Sequence, residues 1–146
     1  MSRATELRDA FDRAFADAPA RERGAQYELL QIELAGEPYA IALADISSLH
    51  VDLAIVAVPA RAPALLGVIA LRGAIVPVYD LRRLLGLAAT RPPRWAVLAG
   101  GNAFAFDHVA GHFSIAELPA GRVIQRDGRS HPLVDFGVAL QGVTDG

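Results

Sequence analysis

Cysteine is absent from the 146 residues. That excludes disulfide bridges, thiolate nucleophiles and cysteine-ligated zinc or iron–sulfur centres, and it agrees with a reducing compartment. Lysine is absent too, since all fourteen basic residues are arginine, so there is neither a phosphate-loop lysine nor a Schiff-base lysine. No apolar run approaches the roughly 20 residues with which a helix spans a bilayer. No basic segment leads into an apolar one near the start, so a secretory signal is not expected. A formal charge of −2 supplies no general attraction to nucleic acid or anionic lipid. What is present is a 53% hydrophobic composition, enough for one domain, or two closely packed subdomains, to fold by burial alone. The expectation is a soluble, cytoplasmic protein.

Leu7, Phe11, Ala14, Phe15 and Ala18 recur at spacings of three and four, which predicts an amphipathic helix ending near Pro19. Residues 1–24 read as this helix and a linker, and 25–146 as the main domain. From Tyr27 the period changes to two. Leu30, Ile32 and Leu34 take the buried face, and a turn at Gly36 leads into Tyr39–Leu43. Residues 44–49 form a short helix or turn before the apolar segment Ile55–Val58. Two β-prone stretches then flank Arg72-Gly73, a second hairpin. Asp80 stands where an N-cap belongs, ahead of a short helix stopped by Gly86. Residues 88–94, with Pro92 and Pro93, read as a joint between halves.

The second half repeats the pattern. Trp95–Leu98 and Ala103–Phe106 flank Gly100-Gly101, and Asp127-Gly128 precedes Pro132–Phe136. In both halves a glycine stands four residues before a proline and an aspartate three after it: Gly73, Pro77, Asp80 and Gly128, Pro132, Asp135. Two similar β units follow, and closing each sheet would remove its exposed edges. The expected fold is all-β, with two small barrels packed together, a first over 27–87 and a second over 95–141, with strand exchange between them left open.

The run Leu66-Gly67-Val68-Ile69-Ala70-Leu71-Arg72-Gly73, followed by Ile75-Val76-Pro77-Val78-Tyr79-Asp80-Leu81-Arg82-Arg83-Leu84-Leu85-Gly86, resembles the core pattern of the CheW-like family of chemotaxis coupling proteins. The likeness extends through Glu28–Ile46 and through Trp95–Val109, where Phe106-Asp107-His108-Val109 is similar to the family's valine-aspartate-x-valine element. The resemblance implies a double five-stranded β-barrel with no cofactor and no activity. It implies two partners, the cytoplasmic tip of a chemoreceptor and the regulatory domain of a histidine kinase, and recruitment to membrane-associated receptor arrays without membrane insertion. Reuse of the scaffold as a docking module in another signalling or motility pathway is the alternative.

Arg72 is the leading partner-binding candidate, because a rigid fork of five donors at a glycine turn can engage a carboxylate on a partner helix. An intramolecular salt bridge is the competing reading. Leu66 and Val68 belong either to the core or to an exposed apolar strip, with Arg82 and neighbouring arginines as its polar rim. Gly67, Gly73, Gly86, Asp80, Asp107 and Asp135 are read as structural turns and caps rather than catalytic groups. His108 and His112 have the spacing of two ligands on one helical face, but Val109 follows His108 where a metalloprotease needs Glu, and Gly111 interrupts a helix, so no metal is expected. No triad, glycosidase pair or phosphate loop is recognisable. The lack of a basic run likewise argues against nucleic acid.

Overall fold

The computed structural model describes residues 26–59 and 62–145. The helix expected over 3–18 lies outside the described residues. Ten strands are present among the described residues: β1 (Tyr27–Leu34), β2 (Glu37–Ala42), β3 (Ser48–Val51), β4 (Leu65–Leu71), β5 (Ala74–Asp80), β6 (Trp95–Ala99), β7 (Asn102–Phe106), β8 (His108–Ile115), β9 (Val123–Arg126) and β10 (Arg129–Pro132). Two helices among them, α1 (Leu81–Leu84) and α2 (Phe136–Asp145), follow β5 and β10, and a 3-10 turn spans Leu43–Asp45.

Four hairpins turn on paired left-handed residues: Ala35-Gly36, Arg72-Gly73, Gly100-Gly101 and Asp127-Gly128, all with positive φ. Positive φ at both central positions matches the right-handed twist of the flanking strands, which is why glycine recurs at the second site.

The strands do not close into barrels, contrary to the expectation from sequence. One sheet has the order β3-β6-β7-β5-β4, and its edge strands β3 and β4 are not paired with each other. The outer edge of β4 instead meets the β3–β4 connection, where Val56 and Val68 exchange both backbone hydrogen bonds at 2.9 Å. The other sheet is β2-β1-β8, joined to the β9–β10 hairpin by a single parallel bridge between Ala40 and Leu133. Counting that bridge gives five strands, again open. Both sheets draw strands from both halves of the chain, since β1 pairs with β8 and β5 runs parallel to β7.

The pleat then sorts side chains into three clusters. Between the sheets lie Leu30, Ile32, Leu34, Ile41, Leu49, Trp95, Val97, Phe104, Phe106 and Val109, sealed by Leu81 of α1 and by Phe136 and Ala139 of α2. Alternate residues of the five-stranded sheet, including Ile69, Val76, Val78, Ala96, Ala103 and Ala105, form a second cluster on its far face, covered by Leu53 and Ile55. Leu29, Ala40, Phe113, Ile124 and Leu133 form a third beneath β9–β10. Val109 and Phe113 would share a face in a regular strand, but they lie in different clusters. The register moves from Gln31↔Gly111 to Ile32↔Val109, so Ala110 is an extra residue and the bulge exchanges the faces of β8.

Candidate functional site

The β4–β5 hairpin carries most of the expected partner residues. Its register pairs Val68 with Pro77 and Ala70 with Ile75, and these four point away from the cluster that takes Ile69, Val76 and Val78. Ala70 and Ile75 are exposed, with Ile75 at 70%, and Val56, bridged to Val68, is 64% exposed. This face of the hairpin is therefore an apolar strip with Arg72 at its tip. Arg72 is exposed at φ 51°, and no hydrogen bond or ion pair engages it among the described residues. Val68 lies half-buried in the strip, whereas Leu66 packs on the far-face cluster and lines a cleft of about 220 Å³ beside Arg82 and Arg83.

Gly67, read as a turn residue, lies inside β4 at a register shift between Leu65 and Gly67. A Cβ there would stand 2.1 Å from the Val56 carbonyl oxygen. Its role is to admit a crossing backbone. Gly73 and Gly86 occupy the expected left-handed positions, at φ 80° and 78°.

Arg82, expected on the surface, is buried at 2% exposure along with Asp80 at 1%. Its Nε and Nη2 donate to the two Asp80 oxygens, both at 2.9 Å. Nη1 donates to the Arg91 carbonyl at 2.6 Å and to Asp107. The second Asp107 oxygen accepts the Ala35 amide at 2.6 Å. The bond to Asp80, followed by the fields of Asp80 and Asp107, raises the guanidinium pKa above its usual value, against the opposing cost of burial. A raised folded-state value means the contribution is complete below the ordinary arginine range and is lost only above it, so this cluster adds no pH dependence of its own near neutrality through Arg82. Arg82 is thus an internal tie and leaves the docking set.

Asp80 also accepts the Arg82 amide at 3.0 Å, capping α1. Asp135 accepts the Val138 amide at 3.1 Å at the start of α2. Asp107 does more than close a turn, since it joins the β1–β2 turn to Arg82. His112 Nε2 lies 2.8 Å from Glu28, and no group of three or more metal-ligating side chains occurs among the described residues. No helix among them is long and apolar enough to cross a membrane.

The charged side chains nearest the centre are spent as structural ties, while the outermost hairpin offers an apolar face ending in an arginine. That division defines an interaction module of the adaptor class. A family model described as CheW-like domain matches residues 28–105, more than half of the chain. The chain belongs to the CheW-like family, the chemotaxis adaptors and scaffolds, whose domains are non-catalytic. Among solved structures, the scaffolding protein CheW from Thermoanaerobacter tengcongensis is similar, with a TM-score of 0.67 at 19% identity over 76% of this chain and 90% of that one. Comparison with curated proteins finds no match.

Proposed function

We propose that this protein couples a chemoreceptor to the regulatory domain of a histidine kinase in the cytoplasm, and that the β4–β5 hairpin is its receptor-docking element. The observation that carries the reading is the Arg72 tip beside the strip of exposed Val56, Ala70 and Ile75 with half-buried Val68. A guanidinium with no partner among the described residues, next to desolvatable apolar surface, supports docking of a helix that offers a carboxylate beside apolar side chains, as a receptor tip would. The scaffold then acts through the geometry in which it holds its partners, without group transfer.

Titration of the full chain with a receptor-tip fragment and with a kinase regulatory-domain fragment tests this. Arg72→Ala is expected to weaken receptor binding by about tenfold, as loss of a central arginine anchor commonly does. Kinase binding and the denaturation midpoint should barely change. Binding of neither fragment by the parent protein would remove the coupling role. Unchanged receptor affinity in the variant would remove the hairpin from it.

A further inference from the structure

The linker over residues 88–93 crosses the surface with open space on both flanks. A cleft of about 540 Å³ lies on one side and one of about 220 Å³ on the other, and Thr90, Arg91 and Pro92 line both. Ala88, Thr90, Arg91 and Pro92 are exposed, so packing does little to fix it. Its ends are anchored, with the Leu87 amide donating to the Arg82 carbonyl at 2.8 Å and the Arg94 amide to the Phe106 carbonyl at 3.2 Å. Between those anchors, among the described residues, the backbone receives a single hydrogen bond, from Arg82 Nη1 to the Arg91 carbonyl. Pro92 and Pro93 have no N–H to donate, and no amide of residues 88–91 finds an acceptor among the described residues, so the Arg82 donor is the hold on this segment.

We propose that Arg82 is a positioning residue whose guanidinium fixes the 88–93 linker relative to both sheets at once. The same Nη1 that holds the linker also holds Asp107, which carries the Ala35 amide of the β1–β2 turn. The other two donors grip Asp80 at the end of β5. Linker, three-stranded sheet and five-stranded sheet meet at one planar side chain. A lysine can keep the charge pair with Asp80, but a compact ammonium cannot reproduce the fork that reaches four acceptors in fixed directions. This role stands independently of what the β4–β5 hairpin binds.

The test is amide exchange of the full-length chain by NMR, comparing the parent with Arg82→Lys and Asp107→Asn. In both variants the Ala35 and Arg94 amides are expected to exchange about tenfold faster, the scale of one charge-assisted bond lost locally. The Val97 and Phe104 amides of the central sheet should change less than about twofold. In Asp107→Asn the Arg82 amide, held by Asp80, should keep its protection. Unchanged exchange at Ala35 and Arg94 in the variants would overturn the proposal. A rise at Val97 and Phe104 equal to that at Ala35 and Arg94 would also overturn it, because the change would then be one of global stability alone. Should Arg82→Lys fail to fold, Asp107→Asn decides by the Arg94 amide alone, since Asp107 itself accepts the Ala35 amide.

Discussion

A methyl group on Gly67 would meet the Val56 carbonyl oxygen at 2.1 Å and its carbon at 2.7 Å, and both are backbone atoms that no rotamer change can move aside. The approach is this close because Val56 and Val68 are hydrogen-bonded across the point. Gly67→Ala must break that bridge or push β4 outward from a backbone already at φ 155°, at a cost of about 3 kcal/mol. Urea denaturation should show the lowered midpoint, and a variant as stable as its parent would mean that the β3–β4 connection is not held against β4. Arg82 and Arg83 make the complementary point. They are adjacent arginines in one short helix, yet Arg82 is buried while the Arg83 side chain is 47% exposed. Nothing in the local pattern distinguishes them, because Asp80 lies near both, and the second carboxylate that Arg82 reaches, Asp107, is twenty-five positions away.

Asp80 and Asp135 occupy the same place in two strand–helix units, and each caps the helix that follows it. Asp135→Ala should cost about 1 kcal/mol, the usual value of an N-cap. Asp80→Ala removes a cap and also strands the buried Arg82 guanidinium, so it should cost roughly 3–5 kcal/mol. Paired thermal melts check the contrast, and equal losses would show that Arg82 does not depend on its nearest carboxylate. These elements were largely legible in the sequence. The alternation at Leu30, Ile32 and Leu34 marks the face toward the central core, and Arg72-Gly73, Gly100-Gly101 and Asp127-Gly128 mark hairpins, since both signals are local. β8 was less legible, because its bulge at Ala110 breaks the period of two just where Gly111 and His112 dilute the apolar pattern. The outer strip was readable only as one of two faces of β4, and the choice depended on where Leu53 and Ile55 pack.

At the scale of the molecule, strand order is what the periodicity could not supply. Alternation says that a strand has two faces, but it does not say that β1 will choose β8 or that β7 will lie between β5 and β6. Those choices make both sheets composite, and the cluster between them takes side chains from β1, β2, β3, β6, β7 and β8 and from both helices. The halves on either side of the 88–94 linker are therefore not separate folding units. Equilibrium unfolding should be a single transition, with Trp95 fluorescence and far-ultraviolet circular dichroism superimposing, because Trp95 lies in β6 between β3 and β7 and reports both halves together. Fragments ending or beginning within the linker should each lack cooperative structure: the first would leave β1 without β8 and β5 without β7, and the second would leave β6 without β3. An independent, cooperative transition in either fragment would require β-strand partners other than those observed, and with them a sheet closed within one half of the chain.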